Sequence, residues 1–595
     1  MSKPRYTAAR WVAASLLMAV LLLAILLTMA DNAPKGKTRV IEGYQPWPEE
    51  VIRIAETLPV QDGGRVKPLS SHAGFIMLRL HGARSMRIDD GKGEVHKLSP
   101  TAWMLDTLLR PQFAIKQPSF RVDNSEALLA VGLESRGRRD RYTYEELEPG
   151  RKKLLELAAT YEPMEARTRD PLQSQVVDLA SNLRTYESFF AYLSFARTGV
   201  MLRGFGGSQK DTSANISAMM ATAPQLREHL QQLQSKGEEM HPQLRELLDQ
   251  LLMAANFSKY GLFILPPENG DAWNSAGEAI MTALQGGFED PSAAISNIAH
   301  LETVARSVSD LDQVAPALTE FKSSVHGQVK NDRLEWRLGL EAFYYRSDLF
   351  YQALVIFVLG SIASLIMWLG GWSLPGRVAY WATWAMSSIG LILCVVAIAI
   401  RCIIMERPPV GNLYDTIIFI AATKLLIVLL VELFTKTRIA LGIGPILGAA
   451  LIFLARRYEL GDAVDHMDPL IAVLDSNFWL STHVVTITIG YAAGLLAAKF
   501  SAVYLLMRMF GLDEGNPAIR RVITRAVYAI ICLTLFLSLV GTVLGGIWAN
   551  DSWGRFWGWD PKENGALLIV LWTLAILHAR MGGYIREWGI HLASV

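Results

Sequence analysis

The chain has 595 residues, 51% of them hydrophobic and 19% charged, with a formal net charge of +1 and a mean hydropathy of +0.24. It is too apolar for a wholly soluble protein and too charged for a bare membrane bundle, which implies a mixed architecture. The near-zero charge argues against a nucleic-acid partner. Cys394, Cys402 and Cys532 all lie in apolar segments without CxxC or CxxCH, which excludes a dithiol oxidoreductase and a c-type cytochrome.

In chain order, Lys3, Arg5 and Arg10 precede an apolar run from Trp11 to Met29, long enough to span a bilayer. No small-residue cleavage site follows, so residues 1–30 are expected to be an uncleaved anchor with a cytoplasmic N-terminus. Residues 31–347 are polar, with helical periodicity over Leu226–Leu252 and Ala276–Leu284, and read as a large, mainly helical extracytoplasmic domain. Within Val60–Gly82, Gly63-Gly64 predicts a turn leading into an amphipathic helix with His72 and His81. Nine residues apart, these histidines share no helical face, and packing or surface positions are favoured over metal ligation. Gly204–Ser217 and Pro266–Trp273 read as surface loops.

Residues 348–595 form the membrane domain. Seven apolar segments, at about 349–370, 378–404, 413–434, 438–455, 481–509, 523–548 and 562–583, bring the expected total to eight transmembrane helices in an all-α polytopic membrane protein. With the N-terminus inside, the basic connections at Arg377, at Lys436 and Arg438, at Arg508, Arg520, Arg521 and Arg525, and at Arg580 and Arg586 fall on the cytoplasmic side. The soluble domain and the loops at 405–412, 456–480 and 548–560 then face outward.

The densest signal is WANDSWGRFWGWD, Trp548 to Asp560. Trp548, Trp553, Trp557 and Trp559 fit neither helical nor alternating spacing, so the stretch reads as a shaped loop. Four indoles with Phe556, and glycines 554 and 558 permitting close approach, exceed what interfacial anchoring needs and favour a platform for a flat ligand. Asp560, Pro561 and Glu563 predict an N-cap, a first helical residue and a capping box.

Two histidines flank this loop in chain order. His483, in SNFWLSTHVV, sits at the outer mouth of a helix, on the loop's side of the membrane. His578, in LAILHAR, is roughly 27 Å down the last helix, near its cytoplasmic end. An intramembrane ionisable residue is a functional candidate, although snorkelling or a neighbourly hydrogen bond explains a lone histidine equally well. Aromatic faces, imidazole at two depths, and cations at Arg555, Lys562, Arg401 or Arg407 together meet the needs of a metalloporphyrin, with ring stacking, axial nitrogen and partners for its carboxylates.

WGRFWGWDPKE after WAND, the SNFWLSTHV segment and the ERPPVGNLYDT loop (406–416) resemble the tryptophan-rich, heme-handling proteins of cytochrome c biogenesis, in the CcsA/ResC branch. The resemblance spans roughly residues 350–583; GGRVKPL alone links the outer domain to N-terminal extensions of some bacterial members. It implies a bacterial inner-membrane protein that binds heme b and delivers it for attachment to the CxxCH thiols of apocytochrome c. It also implies a CcsB/ResB-like partner and a thiol reductant protein. Carried over by position, His483 is the first external iron ligand, His578 the membrane ligand, and Trp548, Trp553, Arg555, Trp557, Trp559 and Asp560 belong to the heme-binding loop. Relatives carry a second external histidine beyond the membrane one. The topology above puts His591 on the cytoplasmic side, so truncation or a partner is favoured as the explanation, with His466 as a substitute. A heme exporter without ligation activity, or a heme-bearing structural subunit of a membrane complex, is the competing reading of the same residues.

Overall fold

The computed structural model describes residues 38–595 apart from 138, 203–211, 237–238, 330–332 and 512–516, together with Ala19, Val20 and Leu23. The anchor expected at Trp11–Met29 lies outside the described residues. The chain divides into two compact units, residues 34–345 and residues 346–595 with 1–33.

The first unit is mainly helical, with short strands in four small sheets. The Gly63-Gly64 turn joins β1 (Pro59–Asp62) to β2 (Arg65–Pro68), both glycines having positive φ where a side chain would be strained. α1 (Leu69–His81) follows. With β3 (Phe263–Leu265) and β4 (Asn274–Ser275) the sheet order is β4-β3-β1-β2. α1 departs from the amphipathic expectation: it is enclosed on nearly every side, with Ala73, Met77 and Leu80 fully buried. Its two histidines take ordinary packing partners. His72 Nδ1 lies 3.2 Å from Asp62, and His81 Nδ1 donates to the Pro118 carbonyl at 2.8 Å.

The periodic stretch 226–252 is two helices, Ala223–Lys236 and Pro242–Phe257, the second starting at a proline that suits a first turn. Ala276–Gln285 is helical as expected, and 266–273 is a loop. The loop expected at 204–217 is corrected in its described part. Thr212–Ala214 pairs with Val200–Leu202, and Ile216 opens a helix whose N–H groups bond the buried Glu302 carboxylate.

Among the described residues seven helices of the second unit are long and apolar enough to cross a membrane. They are α2 (Leu349–Gly370), α3 (Leu374–Met405), α4 (Leu413–Thr435), α5 (Ile439–Asp462), α6 (Val485–Met509, extended at its start to Asn477), α7 (Pro517–Trp553) and α8 (Pro561–Met581). Each matches a predicted segment, but the boundaries of α5 and α7 move most. α5 continues through the polar RRYELGD stretch to Asp462, helped by Arg456, which pairs with Asp348 at the head of α2 at 2.7 Å. α7 runs to Trp553, which takes Trp548 and Trp553 out of the expected loop and onto a helix.

Alternation of the helices gathers the connections 406–412, 463–476 and 554–560 at one end of the unit, the loop end. α6 and α7 touch along small residues. A Cβ on Gly490 would lie 2.8 Å from the Ser538 hydroxyl, one on Gly494 3.1 Å from Thr534, and one on Gly541 2.8 Å from Ile487. Such stripes let membrane helices approach until backbones touch, where dispersion replaces the missing hydrophobic drive. At the opposite end α9 (Glu587–Ser594) tucks in, burying His591 between the Ser501 and Thr524 hydroxyls, each 3.1 Å away, and stacking it 3.6 Å from Tyr504.

Burial pushes the His81 imidazole down from 6.5 to about 4, with the Arg141 charge adding to the effect. A depressed histidine favours the neutral fold, so its contribution is complete above about pH 6.5 and is lost as pH falls from there toward 4. Amide exchange in residues 69–122 should therefore speed over that window, by the equivalent of about 3 kcal/mol at most. The pH dependence should be much flatter in His81→Asn; equal slopes would refute the assignment.

Candidate functional site

At the loop end, a π-helical turn at Leu480–Val484 leads from Asn477–Trp479 into α6 and carries His483. A π turn holds one extra residue and so rotates the helix on its N-terminal side relative to the helix beyond it, and such turns recur at functional sites. His483 is thereby aimed at α7. Its Nδ1 donates to the Gly541 carbonyl at 2.7 Å. That bond places the proton on Nδ1 and leaves the Nε2 lone pair as the basic atom, the arrangement in which a carbonyl behind the ring orients an imidazole ligand.

Glycines and aromatic rings complete the setting. The imidazole rests on Gly545, where a Cβ would come within 2.6 Å of Cε1, and Phe556 folds back onto Gly546, where a Cβ would meet its ring at 2.7 Å. Trp548 meets His483 edge-on, centroids 5.8 Å apart, and stacks with Trp479 at 6.4 Å and 14°. Trp479, Gly541, Gly545 and Gly546 do not stand out in the sequence. The four-residue interval between Trp479 and His483 and the paired glycines inside an apolar helix are the available signals.

The remaining loop, 554–560, is stapled to the first turn of α8. Asp560 caps it, accepting from Lys562 and Glu563 at 2.8 and 2.9 Å, and Glu563 reaches back to the amides of Gly558 and Asp560. This is the predicted capping box. Asn564 donates to the Trp559 carbonyl at 2.9 Å. Trp559 itself has φ 58°, a left-handed conformation costly for a bulky residue and tolerated where surrounding contacts dictate it. Trp557 and Trp559 meet edge to face at 83°, so the four indoles do not form one flat bed. Trp553 and Trp559 are exposed, while Trp557 Nε1 is buried without an acceptor among the described residues.

The other sequence candidates fall apart from this cluster. Arg555 lies half-exposed over Gly558 and 3.7 Å from Glu563. Arg401 and Arg407 are buried in a cluster of their own. Arg401 grips Asp415 at 2.6 Å, and Arg407 donates to the Asp468 carbonyl at 2.8 Å. With Asn412 they converge on the His466 carbonyl, pinning 406–412 to 463–468. His466 stacks between Tyr414 and Tyr458, and burial lowers its pKa. His578 is near the far end of α8 on its exposed side. Its Nδ1 bonds the Leu574 carbonyl of the preceding turn at 3.0 Å, which again leaves Nε2 as the acceptor.

A bundle of seven apolar helices with this histidine–tryptophan cluster at one end defines a multi-pass membrane protein. Residues 410–595 match the family model described as cytochrome C assembly protein. The chain is 31% identical over 265 residues to protein NrfI of Wolinella succinogenes, covering 42% of this chain and 27% of that protein. It is 29% identical over 246 residues to cytochrome c biogenesis protein CcsA of Synechococcus sp. (strain CC9605), covering 35% and 79%, and 28% identical over 211 residues to CcsA of Chlorella vulgaris, covering 29% and 66%. The chain thus spans about a quarter of NrfI but about four fifths of the Synechococcus protein. Its C-terminal membrane part is thus similar in sequence to cytochrome c assembly proteins, the CcsA proteins among them.

Gly545→Ala should lower the melting temperature of the detergent-solubilised chain, by overpacking worth about 1–3 kcal/mol. Gly565→Ala, in open space on α8, should leave it unchanged or raise it by up to about 1 kcal/mol. Equal melting of the two would mean His483 does not rest where described.

Proposed function

We propose that this protein binds heme at the loop end and presents it for covalent attachment to apocytochrome c. The observation that carries the reading is His483, its Nδ1 held by Gly541, its ring seated on Gly545 and flanked by Trp548, with Nε2 left as the donor atom. The residues present suit the group: a tautomer set for metal ligation, indoles at Trp548 and Trp479 beside it, and an orphaned Trp557 N–H.

The orientation follows from the charged connections. Arg377, Lys436, Arg438, Arg520, Arg521, Arg525 and Arg586 cluster opposite the loop end, which the positive-inside bias assigns to the cytoplasm. The loop end and residues 34–345 then face the extracytoplasmic side of a bacterial inner membrane. His578 lies near the cytoplasmic end on an exposed side of α8, the least buried of the seven spans, and is therefore open to a neighbouring membrane protein. A CcsB/ResB-like subunit is the partner proposed there.

Bound heme would be held at its iron by His483 Nε2 and would supply the vinyl groups to which the two CxxCH thiols add. The chain's own work is positional. Gly541 fixes the imidazole, Trp548 flanks it with Trp479 stacked behind, and the α8 cap fixes the loop. Holding reactants in attack geometry supplies on the order of several kcal/mol of barrier reduction. A separate protein keeps the thiols reduced, since Cys394, Cys402 and Cys532 are spread over three positions on helices with no thiol pair among them.

Purified wild-type protein is expected to carry or take up heme with a low-spin absorption spectrum, weakened in His483→Ala and partly restored by added imidazole. Co-expression with a CxxCH apocytochrome in a host lacking its own maturation system should yield covalent cytochrome. Colourless, folded protein that refuses hemin would refute the binding; bound heme without covalent product would leave transport alone.

A further inference from the structure

A hairpin of the first unit carries charge on its inward face. Met86–Asp89 and Val95–Leu98 pair antiparallel, with Met86 opposite Leu98 and Ile88 opposite His96, and the Asp90 amide bonds the Glu94 carbonyl at 3.2 Å to close the turn. Successive side chains of a strand alternate between its faces. Met86, Ile88 and Leu98 are buried, whereas Arg87, Val95 and Lys97 are exposed, so Asp90, Glu94 and His96 belong to the face that turns inward. One donor atom from each of these three lies within 4.8 Å of one from both others.

Left alone, the arrangement is costly. Asp90 and Glu94 are like charges facing each other across the two strands, a placement that destabilises a sheet. Among the described residues no lysine or arginine forms an ion pair with either carboxylate. Their neighbour is the His96 ring, with Nε2 3.9 Å from Asp90 Oδ2 and Nδ1 4.0 Å from Glu94 Oε1. These separations are too long for hydrogen bonds, and the ring has no other hydrogen-bond partner among the described residues. They suit donors that share an ion, because a metal about 2.0–2.2 Å from nitrogen and oxygen holds the two atoms about 3.3–4.2 Å apart. Asp90 is already set for that role. It is buried, and its Oδ1 accepts from the amides of Lys92 and Glu94 at 2.8 and 3.2 Å, which fixes the carboxylate and leaves Oδ2 for the imidazole side. Glu94 is exposed, so its carboxylate closes on an ion by turning about its own side-chain bonds.

We propose that Asp90, Glu94 and His96 bind a divalent transition-metal ion of the zinc class. An imidazole nitrogen beside two carboxylates selects such an ion over calcium or magnesium, which take oxygen donors. Asp90 Oδ2 and His96 Nε2 hold the ion, Glu94 completes three protein ligands, and the remaining corner goes to water. The ion neutralises the facing carboxylates and ties the hairpin tip to its second strand. The site belongs to the first unit and does not depend on the heme reading.

The test uses the full chain in detergent, freed of metal with EDTA, gel-filtered and titrated with zinc chloride or calcium chloride. Bound metal is counted by mass spectrometry, and stability is read by thermal melting. Because other histidines also take zinc, the readout is the difference between proteins of equal elution and helix content. Wild type and Asp89→Asn, whose carboxylate is on the outward face, are expected to hold one zinc more than Glu94→Gln/His96→Asn and to gain more in melting temperature from zinc, as a ligand of the folded state requires. Glu94→Gln alone, at an exposed position, should weaken this zinc about tenfold or more. Calcium should act on wild type and the double variant alike. Equal zinc content in wild type and the double variant, or a calcium stabilisation that the double variant lacks, would overturn the proposal. If the double variant does not elute as wild type does, undiminished zinc affinity in Glu94→Gln overturns it equally.

Discussion

The close approach of α6 and α7 is the constraint on which the loop-end site depends. Gly490, Gly494 and Gly541 remove the side chains that would hold the helices apart. Only at that separation does the Gly541 carbonyl come within reach of His483 across the interface. The same stripe continues into Gly545 and Gly546, which receive the imidazole and Phe556 rather than a neighbouring helix. A single structural device therefore packs the bundle and sets the tautomer and direction of the candidate ligand.

The polar groups of the membrane unit are distributed by the cost of burying them. Near the loop end, Arg401 and Arg407 share the Asp415 carboxylate and donate to the His466 and Asp468 carbonyls, so that two loops are joined. Removing one partner from such a cluster strands a buried charge, typically at about 3–5 kcal/mol. The cluster explains why these arginines are poorly placed to serve a ligand, although their positions in sequence invite it. Arg555 and Lys562, at the loop itself, remain accessible.

Much of the architecture is legible in the sequence because the bilayer imposes length and apolarity on each span. Seven of the segments read from hydropathy are the seven helices. The α8 cap is equally readable, since Asp560, Pro561 and Glu563 act through local backbone geometry that needs no distant partner. The tryptophan stretch is less so. Aromatic spacing carries no sign that α7 continues to Trp553, because a helix already long enough to span the bilayer gives no reason to extend it. In the first unit, the polar residues Ser71, His72 and His81 of α1 suggest a wet face, yet Asp62 and the Pro118 carbonyl satisfy the two histidines inside.

By itself, the sequence determined the number of the described spans, the capping of α8 and the presence of an indole-rich segment near two candidate histidines. These depend on local composition and on the solvent each stretch must face. The tertiary structure alone decided that His483 is paired with Gly541 whereas His578 faces outward, and that Trp479 joins Trp548. Such facts are set by which helix packs against which and at what distance, and a glycine in one helix discloses neither until its neighbour is in place.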